Sequence, residues 1–315
     1  MSTGHGAANG RLRALVLGAA AGGGFPQWNC NCANCADVRR GVKDLEPRTQ
    51  SSLAVTANGA DWAILNASPE ITTQLIRTPA LHPADPAVVG RRHTPIHTVL
   101  ITNGDIDHVT GLLGLREKQA FRVLGTAEIL GVIDQNPIFQ ALDRTLVRFE
   151  PVALDTPFTL VPGVTATLFP VPGKVPLYLE GETVVTDLEG ENTVGVDLVG
   201  PSGERVAYVP GCARMTARLK DRLAGADVVF FDGTVFTDDE MITAGVGQKT
   251  GRRMGHMAMS GPDGSIAAFE DVPVKRRIFV HINNTNPALR EGSSARRTVE
   301  EAGWEIATDG MDVTP

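Results

Sequence analysis

Three of the chain's four cysteines fall in the run Cys30-Asn31-Cys32-Ala33-Asn34-Cys35. A C-x-C-x₂-C loop can turn several thiolates toward one point, and tetrahedral zinc takes four ligands at roughly 2.0–2.3 Å. Disulfides across such short intervals would be strained, because bridged Cα atoms prefer to sit about 5.5–6 Å apart. The loop therefore predicts a zinc site that needs one ligand from elsewhere, with a loop of free or redox-active thiols as the alternative. Other chemistry gathers where apolar runs end. Leu100-Ile101-Thr102-Asn103-Gly104-Asp105-Ile106-Asp107-His108 passes from a strand into two acids and a histidine, Val228-Val229-Phe230-Phe231-Asp232 closes on an acid, and Ile278-Phe279-Val280-His281 delivers a histidine. Loops at strand ends are fixed by the sheet, so their side chains can converge while the backbone stays accessible to substrate. A lone strand-end histidine is usually structural, whereas three such ends together point to a site.

Short β-branched runs must position these groups. The pattern predicts strands over Leu12–Gly18, Ser52–Ala57, Trp62–Asn66, Thr98–Thr102, Val164–Pro170, Thr193–Val199, Arg205–Val209, Val228–Asp232 and Ile278–Ile282. It predicts helices over Pro69–Arg77, Thr110–Lys118, Ala127–Gln135, Met215–Ala224 and Ser294–Ala302, two of them preceded by a Ser or Thr able to cap. Strands interleaved with helices imply a layered α/β or α+β domain with helices outside. Residues 1–10 and the segment Thr78–Arg92 are expected to be a loose terminus and a long loop. No composition shift marks a linker, so the 315 residues are expected to form a single domain. A net charge of −7 and the lack of a Lys/Arg stripe argue against nucleic acid, leaving a small molecule or peptide as partner. No apolar run reaches the roughly 18 residues of a membrane span. Arg11–Ala21 superficially resembles a signal peptide, but a strand and glycine turn explain it equally well, and thiolate zinc ligands suit a reducing cytoplasm.

The order of strand, D-x-D-H loop, mid-chain strand-end Asp and late strand-end His resembles the metallo-β-lactamase superfamily. That resemblance implies a four-layer αββα sandwich with metals at one edge. Its H-x-H-x-D-H pattern falls on Asn103, Asp105, Asp107 and His108, so the first two histidines are missing. Its metal-bridging Asp would fall near Pro210-Gly211-Cys212, where no carboxylate occurs. Both departures weigh against a two-zinc hydrolase. The runs GAAAGGGFPQWNCNCANC, RTQSS, NASPEI, IDHVTGLLGLRE, FFDGT, DDEM, GVGQKTGRRMGHMAMSGP and HINNTNP are similar to the pyrroloquinoline quinone (PQQ) biosynthesis protein B family, and span nearly the whole chain. This resemblance implies a cytoplasmic role in making the quinone cofactor, with iron-dependent oxygenation of the tyrosine ring of a Glu-Tyr unit. An older reading of the family implies a carrier that transports the finished cofactor.

With two imidazoles missing, Asp107, His108 and His281 are the best-placed metal set, one carboxylate and two histidines. Such a set leaves about three positions open on Fe(II), for oxygen and substrate together. Zinc is redox-inert and cannot take that part. Asp105 and Asp232 are expected to orient the histidines, to accept a proton from the tyrosine phenol, or to add ligands. Cys212 reads most simply as a small buried hydrophobe. The related superfamily members imply His256 as the fourth ligand of a structural Zn(II) on Cys30, Cys32 and Cys35; a satisfied loop histidine is the alternative. Arg116, and Arg252 or Arg253, are candidates for binding substrate carboxylates, since arginine suits bidentate recognition. The expected partners are a Glu-Tyr dipeptide or related peptide and O2, without nucleic acid or membrane. A homodimer is compatible with the sequence.

Overall fold

Along Arg205–Val209, Val206 and Tyr208 face one hydrophobic cluster while Ala207 and Val209 face another. Val228 and Phe230 alternate with Val229 and Phe231 in the same way, as period-2 side chains must on a sheet covered on both faces. The computed structural model describes residues 10–315, so most of the expected loose terminus, residues 1–9, lies outside the described residues.

The strands in chain order are β1 (Arg13–Gly18), β2 (Ser52–Thr56), β3 (Trp62–Leu65), β4 (Ile96–Leu100), β5 (Phe121–Gly125), β6 (Val147–Pro151) and β7 (Phe158–Val161). They continue with β8 (Val164–Pro170), β9 (Val194–Val199), β10 (Arg205–Val209), β11 (Val228–Asp232), β12 (Arg276–Val280), β13 (Trp304–Ile306) and β14 (Asp312–Val313). They form two 7-stranded sheets, ordered β14-β1-β2-β3-β4-β5-β6 and β13-β12-β11-β10-β9-β8-β7. The larger cluster fills the space between the sheets. It joins Leu53, Val55 and Val99 of the first to Leu168, Val196, Tyr208 and Phe230 of the second. Outside the second sheet, Phe231, Phe279 and Trp304 pack with Leu219, Leu223, Phe269 and Val299 from helical segments. This is an α+β sandwich with two mixed sheets inside and helices outside, as expected.

Expected strands over Val164–Pro170, Arg205–Val209 and Val228–Asp232 coincide with the observed ones, while β5, β6, β7, β13 and β14 were not anticipated. The helix expected over Thr110–Lys118 is instead an α-helical turn at Ile106–Val109 followed by a 3₁₀ segment at Thr110–Leu115. Gly111 makes this possible. A Cβ there would lie 2.1 Å from the Ser68 carbonyl oxygen, so the turn docks too closely to carry a side chain. Thr78–Arg92 contains two short turns, Pro79–Leu81 and Pro86–Val89; the second is capped by Asp85, whose side chain accepts from the Ala87 N–H.

Topology brings the chemistry together. β11 and β12 run parallel with Asp232 opposite Val280, so their C-terminal ends share one edge. A bridge between Asn103 and Thr193 ties the end of β4 to the start of β9. Ala20, just beyond β1, bridges to Ile282. No helix among the described residues is long and apolar enough to cross a membrane.

Candidate metal centre

Asp107, His108 and His281 each offer a ligand atom, and these atoms all lie within 4.8 Å of one another. The helical turn at Ile106–Val109 supplies the first two, and the residue after β12 supplies the third. Asp107 Oδ2 stands 3.1 Å from His281 Nε2 and 3.6 Å from His108 Nε2. His281 holds φ at +56°, in the left-handed region that a side-chain-bearing residue adopts only at a cost of roughly 1–3 kcal/mol. Thr234 helps to offset that cost: its hydroxyl oxygen lies 2.9 Å from His281 Nδ1.

The tautomers follow from counting protons. Thr234 Oγ1 has one hydrogen, and its shortest contact is Asp232 Oδ1 at 2.6 Å. Oγ1 therefore donates to Asp232 and accepts from His281 Nδ1–H. Asp232 Oδ1 also accepts from the Thr234 N–H at 3.0 Å, and Oδ2 accepts from the Cys212 N–H at 2.8 Å and from His256 Nδ1 at 2.7 Å. With Nδ1 as donor, His281 turns a bare Nε2 lone pair toward the Asp107 carboxylate. Two acceptors at 3.1 Å repel unless a cation joins them. Without metal a proton does so: burial works against the imidazolium, but the hydrogen bond to Asp107 and the charges of Asp107, Asp232 and Asp105 together outweigh it and raise His281 above its usual range.

His108 meets the same logic. Its Nδ1 lies 3.5 Å from Thr102 Oγ1, and its Nε2 is buried with no hydrogen-bond partner. Burial, only partly opposed by Asp107, pushes its pKa down to about 4, so the ring is neutral with its lone pair available. Burial also opposes the charge of Asp107, but the neighbouring His108 and His281 outweigh it and hold the carboxyl below the usual range. The residues therefore fit a divalent cation, which would take the place of the proton on His281: one carboxylate and two imidazole Nε2 atoms converge where protein supplies no donor to His108. Gly22 borders this point; a Cβ there would lie 3.6 Å from the Asp107 carboxylate.

Asp105 lies beside the cluster, raised above the usual carboxylate range by burial and then by the Asp107 charge. Its Oδ1 accepts from the Leu177 N–H at 3.3 Å. Asp232 belongs to a buried orienting network whose hydrogen bonds reach both His256 and, through Thr234, His281. Cys212 is fully buried, and burial pushes its thiol well above its ordinary value.

The three loop cysteines also offer sulfur atoms within 4.8 Å of one another. Burial raises the Cys32 thiol to about 12, whereas at Cys30 it is outweighed by hydrogen bonds, first from the Cys32 N–H, and the pKa falls. His256 does not complete this group. It stacks on His281 at 5.1 Å between ring centroids and donates to Asp232, so the expectation of a fourth zinc ligand there is corrected. Asn284 takes the position instead, with its amide nitrogen 3.2, 3.6 and 3.3 Å from the sulfurs of Cys30, Cys32 and Cys35. A half-turn of that amide presents Oδ1 to the same point.

Arg116 and Arg252, expected to meet substrate carboxylates, make their contacts within the chain. Arg116 is exposed and binds the Leu113 carbonyl and Glu117. Arg252 pairs with Asp263 at 3.1 Å and lines an open cleft of about 860 Å³ whose walls include none of the cluster residues. Arg253, its side chain 40% exposed, pairs with the buried Glu180 at 3.0 Å. Sequence reasoning missed Thr234 and Asn284. The available signals were a threonine two residues past a strand-end acid and the run Asn283-Asn284-Thr285-Asn286, polar yet buried.

A model of the beta-lactamase superfamily domain matches residues 61–282. The coenzyme PQQ synthesis protein B of Methylobacterium nodulans is 56% identical over 95% of this chain and 99% of its own. That of Rhizobium meliloti is 53% identical over 96% and 97%. The chain belongs to the coenzyme PQQ synthesis protein B family. A crystal structure of Zn(2+)-bound PqqB from Methylobacterium extorquens, 50% identical, superposes with a TM-score of 0.94 over 96% of this chain and all (100%) of that one. A diphosphatase of the PhnP family, 19% identical with a TM-score of 0.66 over 97% and 98% of the two chains, shares the fold. Family membership places this chain in PQQ biosynthesis and its fold among the metallo-β-lactamases, as the motifs implied.

Proposed function

We propose that this member of the family is a metal-dependent oxygenase that hydroxylates the tyrosine ring of a Glu-Tyr unit during PQQ synthesis. Asp107, His108 and His281 hold Fe(II), and Cys30, Cys32, Cys35 and the Asn284 amide hold a structural Zn(II). The carrying observation is the buried, partnerless Nε2 of His108, with Asp107 and His281 offering further ligand atoms within 4.8 Å. Iron(II) on one carboxylate and two histidines keeps about three positions open and supplies chemistry with O2 that zinc lacks. Thr234 fixes the His281 tautomer through Nδ1, and the buried His108 stays neutral. Asp105 has a raised pKa and no hydrogen bond on Oδ2 among the described residues, so it is placed to take the phenol proton. The relative described as Zn(2+)-bound supports metal binding in the family.

A zinc hydrolase would need a second metal, for which Asp232, His256 and His281 are the available group. Asp232 already accepts four donors, which favours the orienting role. Carriage of the finished quinone gives no reason for a polar cluster with an unpartnered imidazole. The hydroxylation places one atom of O2 on the ring and releases the other as water, with two electrons from an external reductant; mass spectrometry of a Glu-Tyr peptide incubated with iron-loaded protein, ascorbate and isotope-labelled oxygen gas tests the proposal. One labelled oxygen on the tyrosine ring is expected. A cleaved or unchanged peptide would refute it.

A further inference from the structure

After β8 the chain passes through Lys174-Val175-Pro176 into a short 3₁₀ turn, Leu177–Leu179, and then Glu180. This strap lies on the loop that carries Asp105. The Leu177 N–H donates to Asp105 Oδ1 at 3.3 Å, and the Tyr178 hydroxyl donates to the Gly104 carbonyl at 2.7 Å. A Cβ on Gly104 would lie 2.8 Å from Pro176 Cγ, so only glycine permits the contact. Leu177, Tyr178 and Leu179 otherwise remain open to solvent, 57, 43 and 48% exposed.

Beneath the strap, the Glu180 carboxylate sits between two cations, 3.0 Å from Lys174 Nζ and 3.0 Å from Arg253 Nη2. The Glu180 and Lys174 side chains are only 8 and 12% exposed. Arg253 Nη1 is buried without a partner. Two cations thus face one carboxylate, with a guanidinium donor left over. As a stabilising device this is poor, because a buried ion pair rarely repays its desolvation and an unpartnered buried donor adds to the cost. As a receptor it is well placed. Lys174 lies near enough for its charge to act on Asp105, and its stem packs where a Gly255 Cβ would stand, 3.2 Å from Lys174 Cγ. Arg253 precedes His256 by three residues. The strap also presents a tyrosine and a glutamate at the edge of the metal centre, the two side chains that the proposed substrate carries.

We propose that Lys174 and Arg253 form a carboxylate-binding subsite for an acidic peptide substrate, which Glu180 fills as an internal stand-in until substrate displaces it. This rests on the reading of the site as acting on a Glu-Tyr unit. The metal-loaded protein is titrated calorimetrically under nitrogen with a Glu-Tyr peptide and its Gln-Tyr counterpart. The unmodified protein is expected to prefer the Glu peptide by roughly tenfold or more, the usual reach of a charge-assisted contact. Lys174→Met and Arg253→Met bring that ratio toward one without changing metal content. Lys174→Met/Glu180→Gln, which removes one cation together with the internal competitor, gives a lower ratio than Glu180→Gln alone. Glu180→Gln tightens the Glu peptide by weakening its internal competitor. Equal affinities in the unmodified protein, an unchanged ratio in the Lys174 and Arg253 variants, or weaker Glu-peptide binding in Glu180→Gln would each overturn the subsite. Oxygen uptake on the same samples separates the two proposals. Preference without uptake sinks the oxygenase reading and leaves the subsite standing; uptake with unaltered ratios in the variants does the reverse.

Discussion

Thr234→Val removes a hydroxyl while keeping the side chain's shape, and isolates the feature that gives His281 its bare Nε2. Thr234 Oγ1 stands 2.6 Å from Asp232 Oδ1 and 2.9 Å from His281 Nδ1. A hydrogen bond to a buried charged group is worth about 1.5–3 kcal/mol and one to a neutral partner about 1 kcal/mol. Asp232 keeps three other donors, so the expected loss is at the lower part of that sum, about 2–3 kcal/mol, or a fall in Tm of about 5 °C. Metal binding suffers in addition, because His281 can then move its proton to Nε2, the atom that faces Asp107. Orienting partners of metal ligands are typically worth about 10–100-fold in affinity. Thermal unfolding of metal-free protein reads the first effect, and titration with a divalent metal reads the second. Thr234→Ser, which keeps the hydroxyl, restores most of both. Unchanged metal affinity in Thr234→Val, or a serine variant as impaired as the valine one, would refute the tautomer argument.

Asn284→Ala and Cys32→Ser each lower zinc content and thermal stability, whereas His256→Ala leaves zinc content unchanged; elemental analysis of the three variants checks the corrected ligand assignment. Burial raises the Glu240 carboxyl from 4.5 to about 7, against hydrogen bonds from Thr285 and the Phe236 N–H. The folded state therefore keeps this proton where the unfolded state has lost it. Stability falls as pH rises from 4.5 to about 7, by about 3 kcal/mol in all at 1.36 kcal/mol per pH unit. Denaturant unfolding across that window should show a flatter pH slope in Glu240→Gln, and an identical slope would contradict the assignment. Gly104→Ala drives a methyl toward Pro176 Cγ, 2.8 Å away, and lifts the strap. Faster proteolysis between residues 176 and 190 with unchanged metal content is the expected result.

The strand ends that carry chemistry were legible because an apolar run breaking abruptly into Asp or His is a local pattern. Both the run at Val228–Asp232 and the one leading to His281 landed at one edge as read. β6 and β7 escaped because they bury little, only Val147 in one and Leu160 and Val161 in the other, and in β5 Arg122 interrupts a short apolar run. The local reading of the cysteine loop gathered its three sulfurs, but the fourth group is 249 residues from Cys35 and is an amide rather than an imidazole. His256 was assigned by analogy to that loop. Its neighbours are decided by how Gly251–Met254 packs beside β11, which no spacing in the sequence encodes. The Lys174–Glu180–Arg253 cluster was hidden for the same reason: exposed and buried cations look alike until the strap folds over them.

Metal content and oxygen consumption, measured together on protein purified without oxygen and supplied with iron(II) and ascorbate as the two-electron donor, test the central claim most directly. The account predicts one iron and one zinc per chain, and oxygen uptake only when a Glu-Tyr peptide is present. Asp107→Ala, His108→Ala and His281→Ala should each lose the iron and the uptake while keeping the zinc. Full iron and uptake in those variants, or protein that binds only zinc and consumes no oxygen with the peptide, would contradict it.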